Sequence, residues 1–387
     1  MDLEIAPEHA SFRDAVREFA QGVVQPHAAE VDREHRFPHE AIKGAAESGL
    51  LGLLVPREFG GAGLDPLSFA IAIEELAQAC ASTAVIVDVH TSVGTEPILL
   101  FGDEEQKRRW LPRLASGELL GAFALTEPAS GSDAASLQAT ARRDRDGYVL
   151  NGTKVFITNI GHAGVYVVFA RTGPEEKAAG VTAFLVPADS PGVRVGQLFH
   201  KMGLHGSPTG ELVLEDVNVP TANRLGGEGQ GFTVAMRALD SGRIGISGQA
   251  LGISQAAVDE ARGLMRERGH EKSKGDSDVL YRLAGQGDDF SLADMASRVE
   301  SARLLAYHAA WLCGAGRPFT RQASMAKLHC TDTAMQVAID ALQIAGEDGA
   351  RQGSPFERHL RDAKALQIYE GSNQVQRYVI GRDLLRG

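Results

Sequence analysis

The spacing of apolar residues changes twice along the chain, and these changes limit the folds that it can adopt. In residues 1–118, apolar side chains such as Phe12 and Val16 recur mostly at three- and four-residue steps, which predicts amphipathic helices. In residues 119–228, the pattern becomes short β-type runs separated by Gly, Pro and Asp. Helical spacing returns in residues 229–387. We therefore predict an α+β multidomain protein with an N-terminal helical domain (1–118), a middle β-barrel or sandwich domain (119–228) and a C-terminal bundle of four to five helices (229–387).

Local patterns predict the individual elements. Asn151-Gly152 joins two short β runs and is the dipeptide most typical of a two-residue hairpin turn. The other predicted strands are 165–170, 181–186, 193–197 and 211–217. The predicted C-terminal helices are 231–268, 291–315, 318–346, 354–369 and 373–385, with a polar linker over 268–278. The glycine-rich run 227–231 has the wrong spacing for a dinucleotide-binding loop and is interpreted as a turn.

Charge and cysteine content restrict the class of protein. The 387 residues carry a net charge of −11, which argues against a general nucleic-acid-binding role. Three scattered cysteines do not make a disulfide framework, and no HExxH or CxxC pattern predicts a metal site. No apolar run reaches the roughly 18 residues of a membrane span, and the N-terminus resembles no targeting peptide. We expect a cytoplasmic enzyme with no metal, nucleic-acid or membrane partner.

Glu370, between Tyr369 and Gly371, is a candidate catalytic carboxylate. It lies where one predicted helix ends and another begins, and glycine at such a junction lets another molecule approach the main chain closely. A carboxylate beside a free N–H suits removal of a proton next to a carbonyl group, and burial would raise its pKa toward the working range of a base. Alternatively, Gly371 is a helix C-cap and Glu370 an ordinary residue of the last turn.

Three other segments combine residue types that suit a ligand, and each has a structural alternative. The run 123–133 offers hydroxyl and turn N–H groups for a pyrophosphate or ring carbonyl, or is an ordinary turn. Phe156 and Thr158 share a strand face that suits a planar cofactor, or they are a core ring and a strand-end threonine. Asp240 and Arg243 share a helix face at the mouth of a ligand site, or simply pair with each other.

Six segments, in this order, resemble the acyl-CoA dehydrogenase family, especially its short- and medium-chain members. They are FALTEPASGSD (123–133), NGTKVFITN (151–159), KMGLHGS (201–207), LDSGRIGISGQALGI (239–253), LADMA (292–296) and RDAKALQIYEGSNQVQR (361–377). The resemblance covers nearly the whole chain and includes the order of helical, β and helical parts.

This resemblance implies an FAD-dependent enzyme that oxidises an acyl-CoA thioester to the trans-2-enoyl-CoA. Glu370 would remove the α-proton, flavin N5 would accept the β-hydride, and the Glu370 N–H would donate to the thioester oxygen. The implied FAD-binding residues are Phe123, Leu125, Thr126, Ser132, Phe156, Ile157, Thr158, Gln286, Gln343, Gly346, Ser372 and Gln374. The implied substrate-binding residues are Ser132, Asp240, Arg243, Tyr369 and Gly371. The implied partners are an electron-transferring flavoprotein and further copies of the chain in a homotetramer, a dimer of dimers.

Some members of this family carry the base on the long helix, at the position of Gly242 here. Glycine cannot act as a base, which disfavours the isovaleryl and long-chain types and leaves Glu370. Two alternatives stay open on the same scaffold: a flavin oxidase or oxygenase, and a non-catalytic member with weakened FAD binding.

The sequence departs from the family pattern near the implied FAD phosphates. The family's Arg-x-x-Phe-Gly is missing, and Gly275 occupies the position eleven residues before Gln286. Glu347 follows Gly346 where the family favours a second glycine. One hypothesis is that a nearby cation supplies the lost charge, the candidates being Arg268, Lys272 and Lys274. The other is that FAD is held weakly, because its phosphates lose a guanidinium partner and gain a carboxylate.

Overall fold

The computed structural model describes residues 5–173, 177–268 and 279–386, and of residues 279–286 the main chain alone. Within these ranges the chain runs from helices to strands and back to helices, which confirms the predicted fold class. Most of the predicted polar linker, residues 269–278, lies outside the described residues. The domain boundaries after residues 118 and 228 stay predictions.

The N-terminal part consists of short helices that local signals start and stop. They are α1 (Pro7–Phe19), α2 (Gln25–Glu34), α3 (His39–Glu47), α4 (Pro66–Ala79), α5 (Ala81–Asp88), α6 (Glu96–Phe101) and α7 (Glu104–Ala115). The Asp65 side chain accepts from the N–H of Ser68 and caps α4. A π-helical segment, Val89–Thr95, joins α5 to α6. By length and composition the helix 81–101 could cross a membrane, but 78% of its most apolar window is buried inside the protein.

The middle part is a mostly antiparallel sheet that folds on itself. Its strands are β1 (Leu120–Ala124), β2 (Thr140–Asp144), β3 (Gly147–Thr158), β4 (Ala163–Arg171), β5 (Val181–Pro187), β6 (Val193–Leu198), β7 (Thr209–Pro220) and β8 (Arg224–Leu225). The order is β6-β7-β3-β2-β4-β5-β8, with β1 parallel to β4. A single residue pair, Thr140 and Arg171, joins β2 to β4. Side chains from both halves, such as Leu150 and Val168, share one core cluster, so the halves pack face to face.

The hairpin predicted at Asn151-Gly152 is wrong, because β3 runs straight through both residues. The two-residue hairpin loop lies instead between β2 and β3, where Asp144 pairs with Gly147. Gly152 marks a shift in the register between β3 and β7 and has a φ of 150°. A Cβ added there would lie 2.6 Å from the Cβ of Ala139, so the glycine serves close packing within the sheet.

The C-terminal part is a bundle around one long central helix. Its helices are α8 (Gly231–Glu267), α9 (Val279–Gly314), α10 (Thr320–Ala345), α11 (Pro355–Leu366) and α12 (Asn373–Leu384). Every residue of α8 from Asp240 to Ser254 is buried, because α8 packs between α4 and α10. The start of α9 was predicted at 291 and lies at Val279, since the polar residues before 291 hide the helical period.

A network of charged side chains joins α4 to α9. Glu74 on α4 is 2% exposed and accepts from Arg303 Nε at 3.0 Å and from the Tyr307 hydroxyl at 2.6 Å. Glu300, whose side chain is 65% exposed, also pairs with Arg303, at 2.7 Å. These side chains line a cavity of about 560 Å³. The buried carboxylate therefore satisfies two donors that packing has partly removed from water.

We expect Glu74→Ala to lower the free energy of unfolding by about 3–5 kcal/mol, because Arg303 loses its buried partner. Glu300→Ala removes the exposed partner of the same guanidinium and serves as the matched control, with an expected loss below about 1 kcal/mol. Equilibrium urea denaturation measures both variants. Equal losses would contradict this account of the network.

Candidate functional site

Glu370 lies in the connection between α11 and α12, and not in the last turn of a helix. The C-cap interpretation of Gly371 is therefore wrong, since α11 ends four residues before Glu370. Glu370 has a φ of 49° and Gly371 a φ of 89°, so two successive left-handed residues make the turn. This conformation costs a non-glycine residue roughly 1–2 kcal/mol, so surrounding contacts must hold it in place.

A buried lysine on α10 holds this turn. Lys327 is fully buried, and its Nζ donates to the Gly371 carbonyl at 2.9 Å and to Asn373 Oδ1 at 3.0 Å. The Gln376 side-chain amide donates to the same Gly371 carbonyl at 2.8 Å. These bonds hold the residues that follow Glu370, and thereby fix the main-chain conformation of Glu370. The sequence reasoning missed Lys327, although a lone lysine in an alanine-rich helix is a detectable signal.

The carboxyl group of Glu370 is buried, and neither of its oxygens hydrogen-bonds to any residue that the structure describes. It lies against α8 at Gly242, where an added Cβ would be only 2.1 Å from Oε2. Burial raises the pKa of Glu370 to about 7, while the positive charges of Lys327 and Arg243 act in the opposite direction. The direction agrees with the expectation from the sequence. An unpaired carboxyl group that titrates near neutral pH suits proton transfer.

Asp240 and Arg243 pair with each other on α8, at 2.5 Å, as the structural alternative proposed. Both are buried, and the Thr320 hydroxyl donates to Asp240 at 2.6 Å. The Nε of Arg243 hydrogen-bonds to no residue in the described part of the chain. Arg243 therefore keeps one free donor in a buried position. The positive charge of Arg243 lowers the pKa of Glu370.

A second buried carboxyl group, Asp88 at the end of α5, lies beside the same face of α8. A Cβ added at Gly245 would be 2.0 Å from Asp88 Oδ1. Burial and the charge of Glu370 both raise the pKa of Asp88 well above its usual range. Tyr369 packs nearby and its hydroxyl donates to the Gln249 side chain of α8. The sequence reasoning missed Asp88, although an acidic residue within an apolar run is unusual.

The β part brings two of the predicted FAD-binding segments together. The N–H of Val155 donates to the Thr126 carbonyl at 2.9 Å, which puts residues 123–126 beside the end of β3. Phe156 has a φ of 59° and its ring is 66% exposed, so the core alternative for this ring is wrong. Thr158 follows at the strand end and is half-buried. An exposed ring beside a hydroxyl group suits a planar cofactor.

The other predicted FAD-binding residues on or next to β1 and β3 are mostly buried. The Ile157 side chain lies in the sheet core, so only its main chain is open to a ligand. Leu125 is buried as well, and its carbonyl accepts from Lys154 Nζ at 3.2 Å. The Phe123 ring lies 4.9 Å from that of Phe169 and packs in the same cluster as Tyr369. Phe123 and Tyr369, which precedes Glu370, thus pack against one shared core cluster.

Glu127 stabilises the turn that carries Ser132, and its main chain exchanges hydrogen bonds with that of Ser130. This buried carboxylate accepts from Lys154 Nζ at 2.7 Å and from the N–H of Ala139 at 2.9 Å. The N–H groups of Gly131 and Ser132 donate to no residue among those described. A fixed turn with free N–H groups fits a phosphate, so the residues present fit the FAD that the resemblance implies.

The remaining predicted residues are divided between the far end of α10 and the start of α12. Gln343 and Gly346 are exposed at the far end of α10, and Gln343 lies about 24 Å beyond Lys327 along that helix. Ser372 caps α12 by accepting from the N–H of Val375, and Gln374 is exposed. The Gln286 side chain lies outside the described residues.

One candidate for the missing positive charge lies beside the Gly346 turn. Arg268 donates to the carbonyls of Ile344 at 2.9 Å and Ala345 at 2.7 Å, where α10 ends. Arg351 lies 3.9 Å from the carboxylate of Glu347 and offsets part of its charge. Lys272, Lys274 and Gly275 lie outside the described residues. Compensation by Arg268 therefore stays a prediction.

The described ranges contain no candidate metal site. Among those residues, no group of three or more His, Cys, Asp or Glu side chains is placed to hold a metal ion.

Three family models match the chain almost end to end. They are the acyl-CoA dehydrogenase N-terminal domain over residues 6–118, the middle domain over 122–217 and the C-terminal domain over 229–385. Among curated relatives, the chain is 47% identical to an acyl-CoA dehydrogenase of Bacillus subtilis and 44% identical to a short-chain specific acyl-CoA dehydrogenase of Clostridium acetobutylicum. Both matches cover 100% of each chain.

Solved structures match over their full length as well. Butyryl-CoA dehydrogenase from Megasphaera elsdenii superimposes with a TM-score of 0.93 at 41% identity. A chain in a structure described as the electron transferring flavoprotein of Acidaminococcus fermentans superimposes with a TM-score of 0.95 at 43% identity. Both matches cover 100% of each chain.

We expect Gly242→Ala to push the Glu370 carboxyl group away from α8 without unfolding the protein, because the atom that Cβ meets ends a flexible side chain. Gly263→Ala on the same helix is the control, since its Cβ would meet nothing within 4 Å. The control should gain up to about 1 kcal/mol of stability from helix propensity. Crystal structures and thermal unfolding of both variants check this. A Glu370 carboxyl group that stays in place in Gly242→Ala would contradict the described packing.

Proposed function

The chain belongs to the acyl-CoA dehydrogenase family, and we propose that it acts on short-chain substrates such as butyryl-CoA, with Glu370 as the catalytic base. It is an FAD-dependent oxidoreductase that converts an acyl-CoA thioester to the trans-2-enoyl-CoA. The observation that carries the proposal is the buried, unpaired carboxyl group of Glu370 at a turn fixed by Lys327. The choice of a short acyl chain rests on the short-chain and butyryl-CoA dehydrogenases that the chain resembles.

The chain's own residues divide the work of proton removal. The α-hydrogen of a thioester is a weak acid, so the negative charge that develops on the carbonyl oxygen needs a donor. The N–H of Glu370 donates to no residue in the described ranges and is free for this oxygen. The ionised Glu370 carboxylate then takes the α-proton, and burial excludes the water that would compete for it.

FAD, when bound, supplies the acceptor for the hydride that leaves the β-carbon. We propose that Thr126 and Ser132 bind it at the turn held by Glu127, and that Phe156 and Thr158 flank its ring. The exposed ring of Phe156 and the free N–H groups of that turn support this assignment. The other implied contacts, including Leu125, Ser372 and Gln374, stay part of the proposal.

We also propose a homotetramer, arranged as a dimer of dimers. Gln343 and Gly346 are exposed at the end of α10 far from Lys327, and this position supports a contribution to the FAD of another copy. Exposed apolar side chains on the three helices α9, α10 and α12 support an interface there; they are Leu304, Leu305, Trp311, Ile339, Tyr378 and Leu384. Burying exposed apolar side chains between copies is favourable.

An electron-transferring flavoprotein is the proposed electron acceptor, and the cytoplasm the proposed location. The similar chain in the Acidaminococcus fermentans structure supports the acceptor, and the bacterial relatives support the location. The oxidase alternative is not favoured, because the relatives above are named as dehydrogenases. Peroxide formed in step with turnover would favour the oxidase instead.

Glu370→Gln is expected to abolish the anaerobic bleaching of the flavin by butyryl-CoA while FAD stays bound, because the amide cannot accept the α-proton. Glu300→Gln makes the same change at an exposed position and should bleach normally. Stopped-flow absorbance measures the rate, and the flavin spectrum measures occupancy. Normal bleaching in Glu370→Gln would show that Glu370 is not the catalytic base.

Lys327→Met is expected to move the ascending limb of the pH profile of kcat/KM to higher pH. Burial lowers the pKa of Lys327 to about 7, and below that pH its cation lowers the pKa of Glu370. Removal of this charge raises the pKa of Glu370, so a higher pH is needed to ionise the base. Lys364→Met, at an exposed lysine on α11, is the control and should leave the profile in place. An unshifted limb in Lys327→Met would show that its charge does not act on Glu370.

A further inference from the structure

Asp88 is a buried carboxyl group with an unexplained free oxygen. Its side chain is 0% exposed, and its Oδ1 accepts from the Ser92 hydroxyl at 3.0 Å. Its Oδ2 is also buried and hydrogen-bonds to no described residue. An unpaired buried polar atom destabilises a protein, so its presence calls for a partner that the described residues do not supply.

The carboxyl group of Asp88 lies next to the proposed base, and its free Oδ2 is 3.0 Å from the position where Gly245 would carry a Cβ. Glu370 Oε2 and Asp88 Oδ1 lie 2.1 and 2.0 Å from the positions where Gly242 and Gly245 would carry a Cβ. Positions three residues apart share one face of a helix, so the two carboxyl groups occupy neighbouring places along α8. Asp88 is therefore a neighbour of Glu370 on that face, and the charge of Glu370 acts on it.

The position of Asp88 puts it on the acyl side of the reacting carbon. The coenzyme A part of a substrate must reach solvent, whereas Asp88 has no exposed surface, so Asp88 can contact only the acyl part of a substrate bound at Glu370. Gly242 and Gly245 are separated by about 4.5 Å along the helix axis. An extended chain advances by about 1.2 Å per bond, so an oxygen on C4 or C5 lies about 3.6–4.8 Å from the α-carbon.

We propose that Asp88 binds a hydroxyl group on C4 or C5 of the acyl chain and makes the enzyme prefer hydroxyacyl-CoA thioesters to unsubstituted ones. The inference rests on the proposed function, because it takes Glu370 to act at the α-carbon. A hydroxyl group donates to a carboxylate and accepts from a carboxylic acid, so both ionisation states of Asp88 can bind it. An unsubstituted chain leaves Oδ2 unpaired, and a site built for a hydroxyl group discriminates against such a chain.

The test compares 4-hydroxybutyryl-CoA with butyryl-CoA, and 5-hydroxypentanoyl-CoA with pentanoyl-CoA, on the FAD-loaded enzyme. In at least one pair, kcat/KM should favour the hydroxylated thioester by about ten- to a hundredfold. Asp88→Leu should remove that preference, and Asp88→Asn, which keeps a donor and an acceptor, should retain most of it. Glu96→Gln changes another buried carboxyl group of the helix 81–101 and is the control that should keep the wild-type ratio.

Binding without turnover gives a second measurement. In Glu370→Gln holoenzyme, titration calorimetry should give a lower Kd for the hydroxylated thioester, and the added Asp88→Leu change should equalise the two values. The proposal is overturned if the wild-type enzyme prefers the unsubstituted thioester in both pairs, or if the preference survives in Asp88→Leu. If no thioester bleaches the flavin, the proposed function fails, and equal Kd values in Glu370→Gln would then overturn this proposal separately.

Discussion

The structure depends on one face of α8 that carries no side chains. Gly242, Gly245, Gly248 and Gly252 follow one another at three- and four-residue steps. A Cβ at Gly248 would lie 2.6 Å from the Ala70 carbonyl oxygen, and one at Gly252 would lie 2.3 Å from that of Glu74. The same face admits the main chain of α4 at one end and the carboxyl groups of Glu370 and Asp88 at the other. Larger residues there would separate the helical parts and fill the space around the base.

Opposing electrostatic effects set the state of Glu370. Burial favours its neutral form, while the cations of Lys327 and Arg243 favour the carboxylate, and burial is the larger effect. Asp240 keeps Arg243 charged and in place through the bond at 2.5 Å. Glu370 in turn raises the pKa of Asp88 above its usual range, because two neighbouring negative charges repel each other. Ionisation of either carboxyl group therefore disfavours ionisation of the other.

The sequence predicted what depends on local pattern and missed what depends on distant contacts. Periodicity predicted the order of helices, strands and helices, and the glycine beside Glu370 pointed to a turn. The Asn151-Gly152 hairpin failed because Asn151 exchanges hydrogen bonds with Asp216, 65 residues away, in the middle of a pair of long strands. Lys327 contacts a carbonyl 44 residues away, and Asp88 reaches α8 from another helix, so neither role has a local signature. Their only trace is a charge in an apolar context.

The length of α10 ties the proposed chemistry to the proposed assembly. One end of this helix carries Lys327, which fixes the turn of its own Glu370. The other end exposes Gln343 and Gly346, and Arg268 binds the last carbonyls there at 2.7 and 2.9 Å. The two ends of a rigid helix lie at a fixed distance from each other. A second copy that binds at the Gly346 end would therefore have a fixed position relative to Glu370 at the Lys327 end. In the proposed tetramer, α10 would therefore position the base of one copy and the cofactor of its neighbour. A cation beside Gly346 would then act on the neighbour's FAD phosphates, at the place where the family's arginine is missing.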